Sequence, residues 1–102
     1  MIFTYDDTTK ETTNLEGKIV IVSADWFKDE YRNAENQLFK AKGGFGCDPH
    51  KLGRAVFGCF FDGENCRVDR EYILGVASEK AIAAWEKLYG HSREIFDNKE
   101  DN

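Results

Sequence analysis

A single proline, a single methionine, two histidines and three cysteines among 102 residues leave little material for several common kinds of protein. Charges interrupt every hydrophobic segment well before the ~20 apolar residues that a membrane-spanning helix needs. The start, MIFTYDD, has neither the basic residues nor the apolar middle of a secretory leader. No Asn-x-Ser/Thr acceptor occurs, and an odd number of cysteines cannot all pair in a disulfide framework. A reduced, cytoplasmic setting without membrane attachment is the expectation.

What is present suits a folded domain. Hydrophobic residues make up 41% and charged residues 32%, a balance far from that of disordered chains. Aromatics reach 14%, so a short chain can still bury a large apolar area. One domain over 1–102 is expected, partly loop over 1–17 and frayed over 97–102.

The net charge of -5 is unevenly spread. Residues 1–30 hold three Lys against seven acidic residues, a net of -4. Residues 31–61 hold five basic against two acidic, a net of +3, and residues 62–102 return to -4 with six basic and ten acidic. A basic centre between acidic ends can attract an anionic partner locally, although a solvated surface can also carry charge this way.

Hydrophobic periodicity places the elements. Ile2 to Tyr5 reads as an edge strand before the Thr-rich loop at 6–17, and KIVIV at 18–22 is an apolar, β-branched strand. Ser23 or Asp25 can cap a short helix through ADWFKDEYR, with Trp26, Phe27 and Tyr31 on one face. In QLFKAK at 37–42, Leu38 is out of step with Phe39 and Ala41, as in a strand with two distinct faces. Gly43, Gly44 and Gly46 end it, Cys47 to Gly53 holds Pro49 and forms a turn, and Arg54 to Phe61 is a continuous apolar strand. Asp62 to Asn65 signals a hairpin into CRVDR and then YILGV, which reads as a sequential meander. Ser78 caps the last helix, which carries Ala81, Ile82, Trp85, Leu88 and Tyr89 on one face and stops before Gly90; Ser92 to Phe96 can add a turn.

The stretch 36–61 gathers aromatics, glycines, Cys47, Cys59 and most of the excess positive charge, so the candidate chemistry lies there. Cys47, His50, Cys59 and Cys66 are four potential zinc ligands, but only Cys47-x-x-His50 has ligand spacing. If Asp62 to Asn65 is the loop, Cys59 faces Val68 and shares a sheet face with Cys66 at a diagonal of about 7 Å. Cys47 with His50 as base is a formal nucleophile pair lacking a third, orienting group. The glycines of KGGFG lack the Gly-Lys-Ser/Thr and the following helix of a phosphate loop, and read instead as positive φ or close backbone approach. Lys40, Lys42, Lys51, Arg54, Arg67 and Arg70 alternate with Phe39, Phe45, Phe57 and Phe60, the mixture that single-stranded nucleic-acid surfaces use on small barrels. Asp6-Asp7 and Asp29-Glu30 have the look of solvated surface, and no general acid can be named.

Asp25-Trp26-Phe27, Tyr31-Arg32, ENQLFKAKGGFGCDP at 35–49, LGRAVFG at 52–58, DGE at 62–64 and DREYILGVA at 69–77 together resemble a family of small uncharacterised proteins of Gram-positive bacteria. That family is often associated with conjugative or phage-like elements, and the likeness runs over roughly residues 25–90. The resemblance implies a cytoplasmic accessory protein and assigns no catalytic residue.

The expected fold is α+β: a curved antiparallel sheet or small open β-barrel of about four or five strands, packed by a C-terminal helix. Val20, Trp26, Phe27, Val56, Phe57, Ile73, Ile82, Trp85 and Leu88 are its expected core. The expected role is a non-catalytic protein-interaction or accessory protein of a mobile element, such as an inhibitor of a host defence enzyme, with Lys42, Phe45, His50, Lys51 and Arg54 as contact residues and no cofactor or metal. The rival expectation is a small nucleic-acid-binding domain using residues 37–70.

Overall fold

The computed structural model describes residues 3–9, 13–26, 36–60 and 65–89. Five strands, β1 (Ile19–Val22), β2 (Gln37–Gly43), β3 (Ala55–Phe60), β4 (Asn65–Asp69) and β5 (Ile73–Val76), form one antiparallel sheet in the order β4-β3-β2-β1-β5. One helix, α1 (Glu79–Tyr89), follows among the described residues. The domain is a small α+β unit with an open sheet, as the periodicity indicates.

The fifth strand departs from the expected meander. A sequential meander would place β5 beside β4, whereas β5 pairs with β1 at the opposite edge of the sheet. Only a three-residue 3-10 helix, Arg70–Tyr72, joins them. So short a link can span both edges only if the sheet curls until they approach at that end. Two backbone bonds hold the crossing: Arg70 N–H donates to the Arg54 carbonyl at 2.8 Å, and Ser23 N–H donates to the Tyr72 carbonyl at 2.7 Å. Gly58 assists the curl, because a Cβ there would collide with the Lys40 carbonyl of the neighbouring strand.

Strand alternation sorts the side chains onto two faces. Val20, Val22, Phe39, Ala41, Val56, Phe60 and Val68 point into the concave side, where Leu15 and Cys47 close over them and Trp26 packs at the margin. The Phe39 and Phe60 rings meet at 4.7 Å between centroids, and Trp26 leans on Phe60 at 5.6 Å. On the convex side, Ile19, Ile21, Leu38 and Cys59 are covered by Phe3 and by Ala81, Ile82 and Trp85 of α1. Because α1 covers only part of that side, Phe57 of β3 and Asn65 and Arg67 of β4 remain accessible.

The cap of α1 forms as its sequence indicates, with Ala81 N–H donating to Ser78 Oγ at 3.0 Å. Of the edge strand expected at 2–5, the described residues 3–5 form no strand. Thr4 Oγ1 accepts from Asp6 N–H at 3.2 Å and Asp7 Oδ2 accepts from Thr4 N–H at 2.9 Å, a reciprocal cap that turns Tyr5–Asp7 into a 3-10 helix. Ser23 caps a turn at Ala24–Trp26 through a 3.1 Å bond from Asp25 N–H. The rest of the 24–32 helix, Phe27, the loop at 62–64 and the turn at 92–96 lie outside the described residues.

Two expected core residues are on the surface. Phe57 is 50% exposed because it occupies an outward position of β3 that α1 does not reach, and Leu88 is 52% exposed beyond the end of the covered area. Trp26 and Ile73 are partly buried, and Val20, Val56, Ile82 and Trp85 are core.

Candidate binding face

The accessible part of the convex side is built on β2, β3 and β4. Phe57 pairs across the ladder with Arg67 on one side and Gly43 on the other. Lys42, Phe57, Gly58, Asn65, Cys66 and Arg67 line a shallow cleft of about 440 Å³. Phe57 is held by pairing on both flanks, so its ring is presented from a rigid strand position.

The second exposed ring comes from the glycine-rich loop. Gly44 has φ +107°, and a Cβ there would collide with the Ala55 carbonyl and come within 3.0 Å of Phe57 Cδ2. Phe45 follows directly, at the start of a 3-10 helix over Phe45–Cys47, and is 64% exposed. Lys51 Nζ sits 5.8 Å from the Phe45 ring centroid, within cation–π range. Beneath it, Cys47 is buried, its carbonyl accepts from Leu15 N–H at 2.9 Å, and the Arg70 guanidinium donates to the Gly46 carbonyl at 2.7 Å. The loop is therefore pinned at its base and displays Phe45 at its rim. Leu52, 93% exposed, belongs to the same loop.

Of the residues singled out from sequence, Lys42 lines the cleft, and Phe45 and Lys51 lie on the adjoining loop, whose Gly44 abuts the Phe57 ring. Arg54 pairs with Glu71 at 3.2 Å, an exposed contact of small energetic value. His50 is exposed in a turn where its backbone N–H donates to Asp48 Oδ1 at 2.9 Å. The sequence put Phe57 both in the expected core and in the aromatic and basic mixture at 37–70, and the structure places it on the surface, with Asn65, which was not singled out, exposed beside it. The signal was present, since Val56, Gly58 and Phe60 alternate inward and leave Phe57 and Cys59 facing outward.

The candidate zinc ligands do not converge. The register pairs Cys59 with Asn65 and Gly58 with Cys66. That is an odd offset from the expected Cys59–Val68 pairing, and an odd offset moves a residue to the opposite face. Cys59 accordingly packs on the convex side, while Cys47 and Cys66 belong to the concave one. Among the described residues no three His, Cys, Asp or Glu side chains are grouped to hold a metal ion. Cys47 is also poorly disposed as a nucleophile. Its thiol donates to the Gly43 carbonyl at 3.4 Å, and burial, reinforced by Glu16 and opposed by Arg70, pushes its pKa up.

No protein-family model, curated protein or solved structure matches the chain. No helix among the described residues is long and apolar enough to cross a membrane. The class defined by the structure is a small α+β domain: an open five-stranded antiparallel sheet, helix-covered on part of its convex side, with an aromatic and basic face on the remainder.

Proposed function

We propose that this chain is a non-catalytic binding protein that engages a macromolecular partner through the face formed by Lys42, Phe45, Lys51, Phe57 and Arg67. The observation that carries this reading is the exposure of two phenylalanines on pinned backbone beside three basic side chains. Exposed aromatics grouped in this way are unusual for a surface with no partner and characteristic of interface centres. The face selects for a partner offering negative charge together with flat apolar groups. With the resemblance to proteins of Gram-positive mobile elements, this describes a cytoplasmic accessory protein that works by occupancy rather than by chemistry.

The test is an affinity capture from Gram-positive lysate, with and without nuclease, comparing the wild-type chain with a Phe45→Ala/Phe57→Ala variant. A stoichiometric partner retained by the wild type and lost by the variant supports the reading. A partner held equally by both places the working surface elsewhere and overturns it.

A further inference from the structure

We infer that the partner class that fits this face is single-stranded nucleic acid, with bases stacked on Phe57 and Phe45 and phosphates held by Lys42, Arg67 and Lys51. This rests on the binding reading above and names its ligand.

The first ground is geometric. Phe57 stands at an outward strand position with Arg67 directly opposite and Lys42 in the same cleft, so a planar group on the ring has cations on two sides. A base attached to a phosphodiester backbone presents that combination, one flat apolar face per negative charge. Every base has such a face, so the contact requires an unpaired strand and tolerates any sequence.

The second ground is a second exposed ring, which follows Phe57 by way of Gly44. Gly44 backs onto the Phe57 ring, and Phe45 is the next residue, with Lys51 against its own ring. The face thus repeats one unit, an aromatic ring with an adjacent cation, as a strand repeats base and phosphate. Asn65, exposed in the same cleft, adds an amide that can donate to and accept from a base edge.

The third ground is pre-organisation. Phe57 is fixed by the β-ladder, and the Phe45 loop is tied down by the Leu15–Cys47 and Arg70–Gly46 bonds. Little ordering remains to oppose binding. Charge sets the scale. Asp69 lies 3.5 Å from Arg67, and the chain as a whole carries -5, so long-range attraction is weak and contact is local. Neutralising about two or three phosphates gives a log–log salt slope of about -2 for a single strand.

The experiment measures fluorescence anisotropy of the full chain with three labelled probes. These are a single-stranded oligothymidylate of about 10 nucleotides, within the site sizes typical of small barrels, a duplex of the same length, and a glutamate–tyrosine copolymer carrying carboxylates and rings without bases. The expected result is binding of the single strand over the duplex. Phe57→Ala should weaken it on the order of 10-fold, Phe57→Tyr should restore it, and Arg67→Gln should flatten the salt slope. Circular dichroism confirms that each variant is folded; should Phe57→Ala fail to fold, Phe45→Ala carries the same comparison. Duplex binding equal to or tighter than the single strand overturns the inference. Binding of the copolymer alone, lost in Phe57→Ala, overturns it while leaving the binding reading in place. Failure of all three probes, alongside a protein captured through Phe45 and Phe57, overturns it in the same way; capture that is insensitive to those rings defeats both.

Discussion

The Arg70 guanidinium reaches from the crossing between β4 and β5 to the carbonyl of Gly46, 2.7 Å away, and so fastens the Phe45 loop to the point where the sheet curls on itself. The same residue anchors the crossing through its backbone N–H to Arg54. A fold device and the loop beside the candidate binding face therefore share one residue, the first through its backbone and the second through its side chain. Replacing Arg70 by Gln should cost about 1.5–3 kcal/mol, the range for hydrogen bonds to charged groups. Urea unfolding would measure it, and hydrogen exchange should show faster opening at residues 44–47 than at β1. Unchanged stability with unchanged loop protection would contradict this.

The adjacent glycines at the end of β2 and the start of the loop should respond oppositely to substitution. Gly44→Ala must force a positive φ and a clash with the Ala55 carbonyl, so a loss of several times the ~1–2 kcal/mol cost of the left-handed region is expected. At Gly43 nothing lies within 4 Å of an added Cβ and φ is not positive, so Gly43→Ala should be neutral or stabilise by up to about 1 kcal/mol. Thermal midpoints of the two variants decide the matter, and similar losses at both positions would refute the packing described for the loop.

Two residues of the α1 apolar stripe should differ in the same manner. Trp85 is fully buried against the convex face and Leu88 is half exposed. Trp85→Ala should cost about 3–5 kcal/mol, and Leu88→Ala about 0.5 kcal/mol or less. Denaturant midpoints give both values; a large loss at Leu88 would mean that the helix packs further along than described.

Cys47 should make stability fall at alkaline pH. Burial raises its folded pKa above the ordinary 9.0, so the folded state keeps the proton after the unfolded chain has released it. Proton release then favours unfolding, and the contribution present below pH 9.0 is lost as pH rises toward the folded pKa. Cys47→Ala removes that dependence while other alkaline titrations remain in both proteins. The stability difference between wild type and Cys47→Ala should therefore shift against the wild type above pH 9.0, as followed by unfolding at a series of pH values. A constant difference would show that the thiol does not titrate with folding.

Much of the fold was legible because it is locally encoded. The β-branched run at 19–22, the opposed faces of Leu38 and Phe39, and Ser78 before the Ala81, Ile82 and Trp85 stripe each specify an element through neighbours a few residues away. The position of β5 was not legible, since nothing in YILGV distinguishes β4 from β1 as a partner; curling of the whole sheet decides it. The cysteine faces failed for a related reason, as their relation depends on a hairpin register that an odd offset inverts. The binding face was half legible. Lys42, Phe45 and Lys51 follow from composition, whereas Phe57 sits in an apolar run that reads as buried until the extent of helix cover is known.

The most direct test of the account is an amide-resolved NMR titration of the labelled chain with single-stranded oligothymidylate. Saturable shifts concentrated on Lys42, Phe45, Phe57, Asn65 and Arg67, fading as salt rises, are the expected result. Shifts centred instead on the groove lined by Lys18, Lys40, Glu79 and Ile82, or no shifts at all at a concentration where the strand is in large excess, would contradict it.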